Sequence, residues 1–206
     1  LSDVLKLQQK ILVFAKQEFL RHGYKDASLR NIASASGVTT GAIYTYFKDK
    51  NALFEAIVSP VCRQVEVIFE EMSQSYYNED TVLSDITVQK SLEDLLVVYQ
   101  FIYDHFEIFR LLVVGAEGSS RSNFVHTIVE YEVKHTMAYL KRVKGAKHLN
   151  VHINYTALHM IAEGFINAIF EPVRHNMSHE EALENVKFLI IFYTGGWQNV
   201  FKEICY

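Results

Sequence analysis

The chain has little of what builds cross-linked, membrane-spanning or sheet-rich proteins. Its 206 residues include two cysteines, Cys62 and Cys205, too few for a disulfide scaffold and suited to a reducing compartment. Two prolines and a charged share of 21% exclude a stiff linker and a solvating, disordered composition. The longest apolar runs, Ile11 to Ala15 and Phe188 to Tyr193, fall far short of the ~18 residues of a spanning helix. With no signal-peptide pattern in view, a cytoplasmic protein without membrane association is expected. Also missing are a glycine-rich phosphate loop, a Gly-x-Ser-x-Gly turn and any nucleophile set beside a base. Enzyme chemistry and a cofactor are therefore not expected.

What is present is an uneven distribution of charge. The overall balance is −4, which by itself disfavours a nucleic-acid partner. Residues 1–50 nevertheless carry eight basic side chains (Lys6, Lys10, Lys16, Arg21, Lys25, Arg30, Lys48, Lys50) against four acidic ones (Asp3, Glu18, Asp26, Asp49), a net +4. The remainder therefore carries −8. A small basic module on an acidic body presents phosphate-binding charge locally while the body repels DNA.

No segment sustains period-two alternation, and the whole chain is expected to be all-α. Leu5, Leu12, Ala15, Phe19 and Leu20 mark a first helix that Gly23 stops. Ser28 caps a second, short helix through Ala35, and Gly37 breaks it. Thr39 caps a third to about Tyr46, and Asp49 a long fourth toward Ser75, with Pro60 expected to kink it. Further helices are expected near 85–104, 107–115, 120–144, 151–171 and 179–204, the last opened by a capping box of Ser178 and Glu181. A three-helix DNA-binding head over 1–48 and a helical ligand-binding and dimerisation body over 49–206 follow.

The segment from Ser28 to Lys50 carries the chemistry. Ala33 is small where two helices cross, and Gly37 supplies the positive φ of a helix-turn-helix turn. Ile32, Val38, Ile43 and Phe47 are spaced to bury one face of each short helix. Thr39, Thr40, Gly41, Tyr44 and Thr45 remain outward, short or hydroxyl-tipped, suited to phosphates and base edges in a major groove. Arg30 and Ser28 read as DNA-backbone contacts or as solvated surface.

Residues 28–54 resemble the signature of the tetracycline-repressor (TetR) family. The resemblance lies in Gly37-Val38, Thr39-Thr40, Tyr44-Thr45-Tyr46-Phe47, Lys50 and Ala52-Leu53. It implies that Tyr44 and Tyr46 reach DNA, that Thr39, Thr40 and Gly41 meet phosphate or base edges, and that Lys50 meets a phosphate. Many relatives carry His where this chain has Thr45, so no base preference is transferred. Over the body the resemblance implies only architecture: a ligand pocket, and a homodimer made by the last two helices.

The body gives some support of its own. At 100° per residue, Ile153, Ala157, Met160, Ile161, Gly164 and Ala168 gather on a small apolar face suited to close helix contact. The opposite face gathers His152, Tyr155, His159, Ala162, Ile166 and Phe170, with Glu163 at its edge, which reads as a pocket wall or as ordinary core. Tyr99, Tyr103, Tyr131 and His135 on neighbouring helices would complete a polar set. His159 and Glu163 have a spacing that can hold a metal, yet two residues without further close ligands do not make a metal site. Gly195 and Gly196 suggest a close helix crossing. The expected function is sequence-specific binding of a palindromic operator as a repressor released by a small, mainly apolar effector. The alternative is a DNA-binding regulator with no effector.

Overall fold

Caps and glycines set the limits of the helices. A computed structural model describes residues 2–78, 88–147 and 154–204, all helix and turn with no strand among them. Its helices are α1 (Ser2–Asp26), α2 (Leu29–Ser36), α3 (Thr40–Tyr46), α4 (Lys50–Asn78), α5 (Val88–Asp104), α6 (Phe106–Val113), α7 (Phe124–Lys147), α8 (Tyr155–Arg174) and α9 (His179–Ile204). Gly23 interrupts α1 with φ 70° and ψ 170°. Asn154 caps α8 by accepting from the Ala157 N–H at 2.7 Å. The capping box of α9 forms in both directions: the Ser178 N–H donates to Glu181 Oε2 at 2.7 Å, and the Glu181 N–H donates to Ser178 Oγ at 3.2 Å. Those bonds hold the Glu181 carboxyl below its ordinary pKa. Helix α4 runs on through Pro60. Ile153, His152 and Cys205 lie outside the described residues.

The chain divides into two compact units. The first comprises Leu1–Val65 and His105–Phe124, so it is wider than the head expected over 1–48. The reason is burial. One long helix and two short ones offer too little apolar surface to one another, and this unit's core also takes in Leu53, Phe54 and Val58 of α4 and Phe109, Leu111 and Leu112 of α6. Phe19 stands edge-on to Phe54 with centroids 5.2 Å apart, and Tyr24 lies equally close to Phe54. The Tyr24 N–H donates to the Gly115 carbonyl at 2.7 Å, tying the end of α1 to the turn after α6.

A forked ion pair adds a polar fastening within this unit. Arg121 donates through Nε to Glu55 Oε1 at 2.8 Å and through Nη2 to Oε2 at 2.9 Å. The hydroxyls of Ser59 and Ser120 donate to the same carboxylate. With Arg121 the largest contributor, this set lowers the Glu55 pKa to about 2.

The second unit comprises Glu66–Asp104 and Val125–Tyr206. Within it α5 and α8 pack against α9. Buried Tyr99 and Ile102 of α5, Ile166 and Phe170 of α8, and Val186 and Ile190 of α9 contribute to the core. Burial pushes the Tyr99 hydroxyl far above its usual range.

Candidate functional site

The turn between α2 and α3 is built as its residues require. Gly37 has φ 71° and ψ 31°, the left-handed region, and its N–H bonds back to Ser34 while Val38 bonds to Ala33. Ile32, Ala33, Ile43 and Phe47 are buried, and Val38 is half-buried. Glu18 of α1 is buried and holds the entry to α2: its Oε1 accepts from the Ser28 N–H and from Asn31 Nδ2, both at 3.0 Å. Ser28 itself caps α2 by accepting from the Asn31 N–H. Its hydroxyl therefore has a structural task, whereas Arg30 stands exposed.

The outward face of α3 presents the residues expected there. Thr39, Gly41, Tyr44 and Thr45 are exposed, and Thr40 and Tyr46 are partly so. Thr39 also caps the helix, accepting from the Ala42 N–H at 3.2 Å, and Thr45 donates to the Gly41 carbonyl at 3.3 Å. Tyr44 leaves 52% of its surface open, unusual for an aromatic residue on so short a helix. Lys48 and Arg30 add exposed positive charge to this unit.

Lys50 is placed differently from its expected role. Its ammonium donates to the carbonyls of Lys25 at 3.0 Å and Ala27 at 3.1 Å, and sits 4.7 Å from the centroid of the Tyr24 ring. Two of its three donors thus satisfy carbonyls at the end of α1 and just beyond it, and the ring takes up part of the remaining field. A phosphate would have to compete with these partners. The pattern of residues around Lys50 carried no sign of this, because the carbonyls lie 25 and 23 residues earlier in the chain.

The second unit encloses a cavity of about 260 Å³. Its apolar walls come from Phe69, Leu95, Val98, Ile161, Phe165 and Ile169 among others, and its polar points from Ser91, Asp94, Glu132, His135, Thr136, Tyr193 and Thr194. Thr136 donates to Glu132 Oε1 at 3.2 Å. Desolvation nevertheless pushes the Glu132 pKa above the ordinary carboxylate range. Both acids lack a Lys or Arg among the lining residues.

Of the eight expected ligand contacts, His135 and Ile166 line this cavity. The other six stand elsewhere. Tyr103 donates to the carbonyls of Met177 and Ser178, each at 3.1 Å. Tyr99 is core, and Tyr131 stacks on Phe69 and His135. Tyr155 and His159 both reach Glu130 of α7, and Glu163 accepts from Asn167 on its own helix. The wall that α8 gives the cavity is Leu158, Ile161, Ala162, Phe165, Ile166 and Ile169, at i, i+3, i+4, i+7, i+8 and i+11. Of the face expected as the wall, Ala162 and Ile166 line the cavity, whereas His159 and Glu163 stand outside its lining. Glu132 of α7, which sequence reasoning missed, shares a face with Thr136 and Tyr139 at i, i+4 and i+7.

A second feature of this unit is apolar surface left open on α8 and α9. Met160 is 71% exposed, Phe188 77% and Phe192 74%, with Ile191 beside them. Ala157 and Gly164 are also exposed, while Ile161 and Ala168 of the same expected face are partly covered. A Cβ on Gly164 would come within 2.8 Å of the Tyr193 hydroxyl. Cβ atoms on Gly195 or Gly196 would meet nothing within 4 Å, so no crossing within the described chain needs them.

Comparison with known proteins bears on both units. Residues 11–57 match the model for bacterial regulatory proteins of the tetR family. The HTH-type transcriptional regulator AcrR of Shigella flexneri is 50% identical over 56 residues, 27% of this chain and 26% of that protein. The HTH-type transcriptional repressor AcnR of Corynebacterium diphtheriae is 25% identical over 176 residues, 82% of this chain and 83% of the relative. Several matches are local: the chain spans only 27%, 34% and 24% of the length of three such repressors. Among solved structures, NalD, the secondary repressor of the MexAB-OprM multidrug efflux pump in Pseudomonas aeruginosa, superposes with a TM-score of 0.58. That match has 21% identity and covers 93% of this chain and 96% of NalD. Its fold is thus shared across both units. Residues 11–57 are thus similar in sequence to the helix-turn-helix region of bacterial regulatory proteins of the tetR family, and the fold of the chain resembles that of NalD.

Proposed function

We propose that this protein is a cytoplasmic, homodimeric transcriptional repressor that binds a palindromic operator through α3 and leaves it when a small molecule fills the cavity of the second unit. The observation that carries the reading is the face of α3. Thr39, Gly41, Tyr44 and Thr45 are open to solvent on a helix whose other side, Ile43, is locked into the core. Such a face offers hydroxyls and a bare backbone to phosphates and base edges. In the head, Tyr46 and Thr40 flank the contact, Arg30 adds charge, and Ser28 and Lys50 hold the helices that present it.

The proposed dimer uses the open face of α8 and α9. Phe188, Ile191 and Phe192 recur at helical spacing and are followed along α9 by Gly195 and Gly196, so a second copy could approach closely where no side chain stands in the way. A palindrome is the natural partner of two heads related by a twofold axis.

The effector is inferred from the cavity. Its walls are mainly apolar, and its fixed acids are Asp94 and Glu132 with no lining Lys or Arg. An apolar molecule with an amine or other hydrogen-bond donor at one end would satisfy Glu132, whose ionised form is held at a cost. A fatty carboxylate would meet like charge instead. Relatives named as repressors, such as the probable acrEF/envCD operon repressor of Escherichia coli, agree with a regulatory role.

The test is selection of DNA from a randomised duplex pool by the full-length protein. Enrichment of an inverted repeat with half-sites about one helical turn apart is the expected result. A pool that stays random through successive rounds at low salt would remove the proposal.

A further inference from the structure

We propose that His126, Glu130 and His159 form a binding site for a zinc-class divalent metal ion on the second unit. His126 and Glu130 lie one turn apart on α7, and His159 faces them from the first turns of α8. His159 Nε2 is 3.1 Å from Glu130 Oε1, and His126 Nε2 is 3.8 Å from the same oxygen. One ligand atom from each residue lies within 4.8 Å of the other two. Tetrahedral zinc, with bonds of about 2.0–2.2 Å, sets its ligand atoms roughly 3.3 Å apart. The ligand atoms therefore have to close by at most about 1.5 Å to meet on one ion.

The donor set is chemically selective. Two imidazoles and one carboxylate suit zinc, cobalt or nickel, and are poor for calcium or magnesium, which prefer six or more oxygens. Three protein ligands leave one position open to water or to a ligand from solution. The second oxygen of Glu130 is already held, since the Tyr155 hydroxyl donates to Oε2 at 2.8 Å. This turns Oε1 toward both imidazoles, the supporting bond that metal-binding carboxylates characteristically have. Access is direct, because His126 is exposed and its two companions are half-buried. Bound metal would tie α7 to α8, two of the helices that carry the cavity wall. The site is separate from that cavity, which contains none of the three residues.

The experiment uses the full-length chain without an affinity tag, stripped with EDTA and dialysed, then titrated with cobalt(II) chloride and followed by visible absorption. One cobalt per chain, with tetrahedral d–d bands that vanish on adding zinc chloride, is expected. His126→Ala, Glu130→Gln and His159→Ala should each weaken cobalt binding on the order of a hundredfold, and Tyr155→Phe about tenfold. His175→Ala, which removes an imidazole paired with Glu171 elsewhere on the surface, should leave it unchanged. Helical CD verifies the fold of each variant, and the exposed His126 makes its substitution the safest structurally. Absence of saturable binding at one ion per chain, or binding that survives His126→Ala or His159→Ala in a folded protein, would overturn the site.

Discussion

The two units use polar residues in opposite ways. In the first, polar groups near the helix-turn-helix are fixed by short, local hydrogen bonds: Ser28 and Thr39 cap the two short helices, and Glu18 holds the start of α2. The outward face of α3 is left open to solvent. In the second, polar groups are set into apolar walls, and Glu132 is kept above its usual pKa by desolvation. A preorganised surface suits a polyanion that arrives with its own shape. A cavity with a desolvated acid suits a ligand that supplies a further hydrogen-bond donor.

The largest expected effect is on assembly. Replacing both Phe188 and Phe192 with Glu puts charge on the open face of α9 without disturbing the buried core, since both rings face solvent within one chain. Burying those charges between copies would cost several kcal/mol. Sedimentation should then show monomers with wild-type helicity. A dimer that persists unchanged would move the interface elsewhere.

Glu55→Gln sharpens the account of the first unit. Because the folded pKa of Glu55 is depressed from 4.5 to about 2, its contribution is fully present above the unfolded value and is lost as pH falls from about 4.5 toward 2. The variant should lose about 1–2 kcal/mol at pH 7, a partly exposed pair deserving no more. It should match the wild type near pH 2. Denaturant melts at the two pH values measure this, and an equal loss at both would assign the effect to packing.

Lysines of the same unit separate structure from DNA contact. Lys50→Met should lower stability by about 1 kcal/mol through the lost bonds to Lys25 and Ala27. Lys48→Ala, at an exposed position, should leave stability alone and reduce the salt dependence of operator binding by about one unit. If Lys50→Met alters the salt slope and not the melt, the roles are reversed.

The smallest effect concerns α9. Gly196→Ala should stabilise an isolated helix by up to about 1 kcal/mol, and nothing in the chain opposes the added methyl. If copies meet there, dimer affinity falls as monomer stability rises. Equal affinity for both proteins would place the glycine outside the interface.

The head was legible in the sequence because its determinants are local. Gly37 needs a positive φ, Ser28 and Thr39 cap the helices that begin one residue later, and Ile32, Ile43 and Phe47 declare the buried side. The lining of the cavity was not. Its composition depends on how α5, α7, α8 and α9 rotate against one another, and two stripes of α8 were both apolar enough to be the wall. His159 was singled out for a spacing with Glu163, whereas its partners come from α7, 29 and 33 residues earlier. The bonds of Lys50 were hidden for a similar reason, since its partners are carbonyls that no side-chain pattern displays.

The most direct test sets one substitution from each unit on the same selected operator. Tyr44→Ala removes an exposed ring from α3, and Ile161→Trp narrows the cavity, a change that His159→Trp could not make because His159 lies outside the lining. Fluorescence anisotropy should show Tyr44→Ala binding the operator about 10- to 100-fold more weakly, the scale of a lost base contact. Ile161→Trp should bind within about twofold of the wild type, the substitution lying in the other unit. Wild-type affinity in a folded Tyr44→Ala protein, or an operator affinity that collapses only in Ile161→Trp, would contradict the assignment of DNA recognition to the first unit.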